Sequence, residues 1–210
     1  MAARRGALIV LEGVDRSGKS TQAKGLVQYI KERLGLEAEL LRYPDRTTAT
    51  GKVINEYLSS TANLDDNAIH LLFAANRWEA KPEVAEKLQR GINLVVDRYS
   101  FSGVAYSAAK GLSLEWCKHC EDGLIRPDVV IQLEIEAEVA AKRGEFGKER
   151  YEKLAFQKSV ADTFKAFQSL PYWKVVDATL PMEKVEEGVQ SLAAAAIKRA
   201  EEGEPLLQLW

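Results

Sequence analysis

The sequence predicts an α/β fold in which a doubly wound, five-stranded parallel sheet carries helices on both faces. Apolar runs alternate with helix-like stretches along the whole chain, as in folds that join parallel strands by right-handed crossovers. Several runs, such as "LIVL", "LVV" and "VVI", are apolar at almost every position, which is typical of strands covered on both faces. The 210 residues suffice for one buried core and are too few for two full domains, so we expect residues 1–210 to form a single domain.

The apolar runs are the predicted strands, and the stretches between them are the predicted helices. Strands are expected at residues 7–12, 37–42, 92–97, 128–135 and 173–177. Helices are expected at residues 20–34, 51–60, 66–90, 101–120, 137–143, 150–170 and 182–202. The residue before a proline disfavours the helical conformation, so the pair Lys81-Pro82 is expected to bend or break the third helix.

Composition and charge exclude several classes of partner. The formal net charge is −2, so no overall positive field attracts nucleic acid, whereas a small phosphorylated ligand needs only local positive charge. No run of 18 apolar residues is present, and we expect no membrane span. The first apolar run is short and ends at Glu12, which favours a buried strand over a signal peptide. We expect a cytoplasmic protein, with nuclear or organellar presence left open.

The two cysteines, Cys117 and Cys120, lie in "WCKHC" around His119. A redox pair or half of a zinc site is one interpretation. No second cysteine pair completes a zinc site, and no strand-like run immediately precedes the motif, so reduced structural thiols are the favoured interpretation.

Three segments are interpreted as functional loops: residues 43–51, 98–103 and 142–152. The first two follow predicted strands, and ligands of such sheets bind beyond the carboxyl ends of the strands. The third is charged, contains two glycines and is interpreted as a mobile flap. The apolar residues of the tail "EEGEPLLQLW" are expected to pack onto the body of the chain or onto a second subunit.

Residues 13–20, "GVDRSGKS", fit the phosphate-loop pattern G-x-x-x-x-G-K-[ST] between a predicted strand and a predicted helix. Gly13 and Gly18 let backbone N–H groups turn toward phosphates, and the N-terminus of the helix adds partial positive charge. Lys19 is expected to reach the outer phosphates, and Ser20 is expected to offer its hydroxyl to Mg²⁺.

Asp97 ends the run "INLVVD" and is the second predicted metal residue. Its carboxylate is expected to hold Mg²⁺ directly or through water. An aspartate at a strand end is also a common helix cap, and that alternative stays open.

The phosphate loop alone leaves hydrolases, motors, GTPases and kinases open. The N-K-x-D guanine-recognition motif is missing, and the chain has no room for the further domains of large ATPases. Length and loops favour phosphoryl transfer to a small acceptor. A nucleotide-binding switch or regulatory ATPase is the rival from another class.

Basic residues occur where such a transfer needs charge. Arg16 lies in the phosphate loop, Arg46 in the loop 43–51 and Arg98 just after Asp97, while Arg143, Lys148 and Arg150 lie in the flap. Guanidinium groups suit two-point binding of phosphate. Surface ion pairs are the alternative for any single arginine.

Phe73 and Arg77 are the candidate base readers. They are four residues apart and share one helix face, so that a ring stacks on a base and a guanidinium bonds its carbonyl. By periodicity alone, Phe73 fits the core equally well.

The chain resembles the thymidylate kinases of eukaryotes over nearly its whole length. The resemblance rests on "LEGVDRSGKSTQ", "ELLRYPDR", "HLLFAANRWE", "LVVDRYSFSGVAYSAAK", "LEWC", "KRGEFGKERYE" and "WKVVDAT". It implies a P-loop nucleoside monophosphate kinase fold with a lid at about 137–154. It also implies Mg²⁺-dependent transfer of the ATP γ-phosphoryl group to dTMP by a homodimer. A kinase of dUMP or dCMP is the milder rival.

The resemblance also implies roles for individual residues. Arg16, Lys19, Asp97 and Arg98 are the implied catalytic residues, and Ser20 and Asp97 the implied metal ligands. The implied ATP-binding residues are Gly13, Asp15, Arg16, Ser17, Gly18, Lys19, Ser20, Thr21, Arg143, Thr179 and Leu180. The implied dTMP-binding residues are Asp15, Arg46, Phe73, Arg77, Arg98, Gly103, Tyr106, Tyr151 and Gln157. "DATLP" departs from the polar stretch common there, which leaves backbone contacts to adenine.

Overall fold

A five-stranded, all-parallel sheet forms the centre of the computed structural model, which describes residues 5–143, 147 and 149–210. The strands are β1 Leu8–Glu12, β2 Ala38–Arg42, β3 Asn93–Asp97, β4 Val129–Glu134 and β5 Trp173–Asp177, in the spatial order β2-β3-β1-β4-β5. Each strand lies where the apolar runs predict it, within one residue at either end. The predicted fold class is confirmed.

In the described part of the chain, eight α-helices connect and flank the strands. They are α1 Lys19–Glu32, α2 Ala49–Leu58, α3 Asp66–Gln89, α4 Ser100–Ala108, α5 Leu114–His119, α6 Ala137–Ala141, α7 Leu154–Phe164 and α8 Met182–Glu201, with a 3-10 turn at Lys165–Phe167.

The structure corrects the helix prediction in three places. α3 runs unbroken through Pro82, because the side chains of Ile69, before the proline, and of Val84 and Leu88, after it, are buried in the same core. The predicted helix 101–120 is two helices, since the chain turns through Gly111 at φ +103°. The predicted helix 150–170 begins only at Leu154 and ends in the 3-10 turn.

Alternating strand residues form the two halves of the core. In β1, Leu8 and Val10 face α2, α3, α4, α5 and α7, whereas Ile9 and Leu11 face α1, α6 and α8. Fully burying one such side chain contributes roughly 1.5–3 kcal/mol. The continuous apolar character of the strands therefore follows from burial on both sides.

The order of the strands places the site. The chain leaves β1 toward β2 on one side of the sheet and leaves β3 toward β4 on the other, so these two connections run in opposite directions. Asp97 is in register with Leu11 on one side and with Arg42 on the other. The loops after β1, β2 and β3 therefore meet at one edge, which is the point where such folds bind ligands.

The C-terminal tail packs onto the body of the chain. Leu209 is buried, and Gln208 forms an antiparallel bridge with Ile125. The Trp210 ring lies 5.3 Å from the Phe101 ring and 5.9 Å from the Phe167 ring, measured between centroids. Among the described residues, no helix is long and apolar enough to cross a membrane.

Candidate active site

A cleft of about 1420 Å³ opens at the carboxyl edge of the sheet. Most of the predicted site residues line it: Asp15, Arg16, Ser17, Gly18, Lys19, Ser20, Thr21, Arg46, Phe73, Arg77, Asp97, Arg98, Gly103, Tyr106, Arg143, Tyr151 and Leu180. Gly13, Gln157 and Thr179, which are also described, lie outside the lining. The candidate base readers and the phosphate loop thus share one cavity.

The loop between β1 and α1 depends on two glycines with positive φ. Gly13 has φ +144°, and a Cβ there would lie 2.7 Å from the carbonyl oxygen of Leu133. Gly18 has φ +99° and directly precedes the first residue of α1. Arg16 has φ 65° as well, so the loop curls around the N-terminus of α1 and places that end toward the cleft.

Lys19 is buried at the base of this loop. Its Nζ donates to the carbonyl oxygen of Val14 at 2.6 Å and to the hydroxyl of Ser17 at 3.1 Å. Burial, followed by the positive charge of Arg98, lowers the pKa of Lys19 to about 7. A phosphate in the loop would favour the charged amine, since an opposite charge raises the pKa of an amine.

Ser20 and Asp97 meet in the cleft. The Ser20 hydroxyl donates to Oδ2 of Asp97 at 2.5 Å. Burial alone would raise the pKa of Asp97, but the charges of Lys19 and Arg98 and the Ser20 hydrogen bond hold it below its usual value. A hydroxyl and an ionised carboxylate are the oxygen ligands that Mg²⁺ prefers, so this pair fits the metal that the sequence implies.

Arg42 is a member of the site that the sequence reasoning missed. Its Nη2 lies 2.7 Å from Oδ2 of Asp97 and also contacts the Ser20 hydroxyl, while Nε lies 3.1 Å from the same carboxylate oxygen. The feature that could have indicated this role is the position of Arg42 as the last residue of β2, in register with Asp97 of β3. The Arg42 side chain is 61% exposed and has room to move away from these oxygens.

Arg98 connects the phosphate loop to α4. Its backbone has φ 68°, and its Nη1 donates to the carbonyl oxygen of Gly13 and to the Ser102 hydroxyl, each at 3.0 Å. Nη2 forms an ion pair with Asp15. Burial opposes its charge, but Tyr106 and the surrounding carboxylates keep the pKa of Arg98 above its usual value. The side chain is therefore a permanent cation at the centre of the cleft.

Glu12 is a second residue that the sequence reasoning missed as a site residue. Its fully buried carboxylate accepts hydrogen bonds from the backbone N–H groups of Tyr99 and Ser102, at 2.9 and 3.0 Å, and from the Ser102 hydroxyl at 2.5 Å. Glu12 thus accepts from backbone N–H groups at the start of α4 that have no partner within the helix. A cap at this helix end was the alternative role considered for Asp97. The Asp97 carboxylate bonds Ser20 and Arg42 instead.

Gln157 lies behind the cleft and holds Asp15. Its amide nitrogen donates to Oδ2 of Asp15 at 2.7 Å, and its amide oxygen accepts from the Asp15 backbone N–H at 2.8 Å. The ring of Tyr106 lies 5.2 Å from the guanidinium carbon of Arg98. The ring of Tyr151 stacks on that of Phe156, 5.1 Å between centroids and 24° between planes. These rings form an apolar wall beside charged Arg98.

Arg77 and Phe73 lie on the α3 wall of the cleft. The guanidinium of Arg77 forms a two-point ion pair with Glu121, whose carboxylate is completely buried and was also missed from the sequence. Burial alone would lower the pKa of Arg77, and the charge and hydrogen bond of Glu121 raise it instead. Gly103 permits this arrangement, because a Cβ there would collide with the guanidinium. Phe73 is half-buried and both lines the cleft and touches the core.

Two cleft arginines form ion pairs with the segment predicted as a flap. Arg16 pairs with Glu152 at 3.0 Å, and Arg46 pairs with Glu149 at 2.8 Å. Arg150 is not brought to the cleft: it donates to the carbonyl oxygens of Tyr57 and Ala62, at 2.7 and 2.8 Å, near the end of α2. Lys148 lies outside the described residues.

The loop after β5 lies against Arg143. Nη2 of Arg143 donates to the carbonyl oxygen of Ala178 at 2.7 Å. The Thr179 hydroxyl donates to Asp177 at 2.6 Å, and this bond keeps it out of the cleft. Leu180 is 47% exposed and presents apolar surface in the cleft.

The two cysteines lie away from this cleft and are both free thiols. Burial raises the pKa of Cys117 to about 11. Within the described part of the chain, no group of three potential metal-binding side chains occurs.

Comparisons with known proteins extend the similarity to the whole molecule. The family model described as thymidylate kinase matches residues 11–189. Thymidylate kinases of Danio rerio and Homo sapiens are 51% and 50% identical, each over 213 aligned positions that cover all of both chains. A solved structure of a thymidylate kinase from Candida albicans superposes with a TM-score of 0.87 at 33% identity, covering 98% of this chain and 99% of that one.

Proposed function

The chain belongs to the thymidylate kinase family, and we propose that it transfers the γ-phosphoryl group of ATP to dTMP, giving dTDP and ADP for dTTP synthesis. One observation carries the proposal beyond the family match. The phosphate loop and the Phe73–Arg77 wall line one continuous cleft, so a donor and an acceptor nucleotide have room to lie end to end.

The donor phosphates are assigned to the loop Gly13–Ser20 with Thr21. Its backbone N–H groups, the N-terminus of α1 and Lys19 provide a concentrated positive potential. Arg143 and the Ala178–Leu180 loop are assigned to adenine. A ring between the Arg143 guanidinium and apolar Leu180 would receive stacking on one side and backbone hydrogen bonds from the loop.

The metal is assigned to Ser20 and Asp97. Bound at these oxygens, Mg²⁺ supplies positive charge to the donor phosphates. Asp97 is held ionised by Lys19 and Arg98, so its oxygens are ready to act as ligands. Arg42 bonds both oxygens in the structure and must withdraw when they bind a metal.

The acceptor is assigned to the opposite half of the cleft. Arg98 and Arg46 hold the dTMP phosphate, Phe73 stacks on thymine, and Arg77 donates to the 4-oxo group. Asp15 is assigned to the 3′-hydroxyl, with Gln157 fixing its carboxylate. Gly103, Tyr106 and Tyr151 shape the sugar pocket, where the ring of Tyr106 leaves little space for a 2′-hydroxyl.

Transfer follows from position and charge alone. The attacking phosphate oxygen of dTMP is already anionic, so no strong general base is needed. Arg98 orients that phosphate, and Lys19 and Arg16 stabilise the negative charge on the γ-phosphoryl oxygens as it passes in line between the nucleotides. Arg16 reaches this place by leaving Glu152.

Residues 137–154 are assigned to a lid of one domain that spans residues 1–210. Its ion pairs with Arg16 and Arg46 connect it to both halves of the cleft. Closure of the lid excludes water from the transferred group. We propose that the protein acts in the cytoplasm, with nuclear or organellar presence left open, and that it is a homodimer, as the family resemblance implies.

A coupled assay of ADP formation across a panel of nucleoside monophosphates tests this function. The proposal expects turnover that depends on dTMP and on Mg²⁺, with much slower turnover for dUMP and dCMP. A nucleotide-binding switch would instead show slow hydrolysis of ATP without dependence on any acceptor. A kinase of another monophosphate would show its highest kcat/KM with that acceptor.

A further inference from the structure

Glu12 occupies a position that links the two halves of the cleft. It is the last residue of β1, and Gly13, the first residue of the phosphate loop, follows it directly. Its side chain reaches to the start of α4, more than eighty residues along the chain, where it accepts three hydrogen bonds from Tyr99 and Ser102. One residue therefore anchors both the donor loop and the helix that follows Arg98.

The hydrogen bonds run in a defined direction through Ser102. A serine hydroxyl has one hydrogen, and here it points to Oε2 of Glu12 at 2.5 Å. The lone pairs of the same oxygen are then turned toward Nη1 of Arg98, which donates to it at 3.0 Å. Nη1 also donates to the carbonyl oxygen of Gly13. Glu12 is thus connected to the Arg98 guanidinium through a side chain and through its own neighbour.

The two backbone N–H groups that face the Glu12 side chain can only donate, whereas the Ser102 hydroxyl can donate or accept. A carboxylate accepts from all three groups, so the Ser102 hydrogen points to Glu12. An amide at the same place would donate to the Ser102 oxygen and would reverse this hydrogen bond. The reversed bond would leave the Ser102 hydrogen without its Glu12 acceptor, so the observed direction of the bond requires an acceptor oxygen at this position.

We propose that Glu12 is a positioning residue which, through Ser102, sets the orientation of the Arg98 guanidinium for the acceptor phosphate. The inference rests on the proposed function for its assignment of Arg98 to that phosphate. Glu12 touches neither nucleotide, and its effect on the reaction passes through Arg98.

Two variants with a matched control test the proposal. Ser102→Ala removes the connecting hydroxyl, and Glu12→Gln keeps the shape of the side chain while removing its charge and reversing the hydrogen bond with Ser102. Ser100→Ala is the control, because Ser100 is a buried serine on the same turn whose hydroxyl has no hydrogen-bond partner among the described residues. For each, KM for dTMP, KM for ATP, kcat and Tm are measured.

We expect Ser102→Ala and Glu12→Gln to raise KM for dTMP about ten-fold or more, the change expected for a lost hydrogen bond to a charged group, with KM for ATP within about two-fold. Ser100→Ala should match the wild type. Equal changes in both KM values, or a Ser102→Ala enzyme that behaves like Ser100→Ala, would overturn the proposal. If Glu12→Gln does not fold, the KM values of Ser102→Ala alone decide whether the proposal holds. A wild type without dTMP-dependent turnover would overturn the proposed function itself, which separates the two failures.

Discussion

Arg77 and Glu121 form a two-point ion pair in the interior, with side chains 3% and 0% exposed. Nε of Arg77 lies 2.9 Å from Oε2 of Glu121, and Nη2 bonds the other carboxylate oxygen. An unpaired charge at this depth would be strongly destabilising, so the pair fixes the plane of the guanidinium. The candidate base reader is therefore held rigid before any nucleotide binds.

Glu121→Gln should reduce the preference for dTMP over dCMP. The amide keeps the shape but supplies only one acceptor oxygen, so Arg77 loses part of its orientation and its discrimination of an oxo from an amino group. We expect the ratio of kcat/KM for the two acceptors to fall about ten-fold. Glu115→Gln is the control, since Glu115 pairs with Lys118 on the surface. An unchanged ratio with a lowered Tm would show that the pair acts on stability alone.

Arg16→Gly should lower kcat by roughly 10²–10⁵-fold, the scale for loss of a cation that stabilises phosphoryl transfer. Glycine suits this test because Arg16 has φ 65°, a conformation that glycine adopts without strain. Steady-state kinetics at saturating dTMP and ATP measure kcat, with the remote surface variant Arg90→Ala as control. Activity within a few-fold of wild type would contradict the role given to Arg16.

Phe73→Ala distinguishes stacking on a base from packing in the core. We expect KM for dTMP to rise about ten-fold and Tm to stay near that of wild type, because the ring is only half-buried. Leu72→Ala is the matched control, as Leu72 is a half-buried neighbour that packs on the core cluster. If Phe73→Ala and Leu72→Ala lower Tm alike without affecting KM, Phe73 is a core residue.

Arg42→Ala should lower the Mg²⁺ concentration needed for half-maximal activity by several-fold. Arg42 and a metal use the same oxygens of Ser20 and Asp97, so removing the guanidinium removes a competitor. The same variant should lower Tm in EDTA and recover it when Mg²⁺ is added, which is a readout independent of turnover. Arg90→Ala controls for the lost charge. An increased Mg²⁺ requirement would mean that Arg42 assists metal binding.

Cys117 should be unreactive at pH 8. Its pKa of about 11 leaves about one thiol in a thousand ionised at that pH. Cys120 is half-buried and should be alkylated first by iodoacetamide, as followed by mass spectrometry. Formation of a Cys117–Cys120 disulfide under mild oxidation, with a change in activity, would favour the redox interpretation.

The strands could be predicted because their signal is local. Each is a short apolar run, and burial on both faces requires nothing beyond that run. The helix ends were predicted less well, since α3 passes through Pro82 by virtue of packing that no single segment displays. The break before α5 depends on Gly111 adopting a positive φ, which the sequence permits but does not require.

The site was predicted where one segment carries the chemistry, as in the phosphate loop. Glu12, Arg42 and Glu121 were missed because each acts through a partner far along the chain: Ser102, Asp97 and Arg77. A glutamate at a strand end has no local feature that marks it as a buried acceptor. Only the folded chain gives these residues their roles, by bringing β1 to α4, β2 to β3, and α3 to the segment after α5.

The most direct test of the central claim is the binding of one molecule that carries both nucleosides, adenosine and thymidine joined by a chain of five phosphates. Isothermal titration calorimetry should give one molecule per chain, and prior saturation with either ATP or dTMP should weaken its binding. Loss of competition with one of the two nucleotides, or two independent molecules bound per chain, would contradict an arrangement in which donor and acceptor lie end to end in the same cleft.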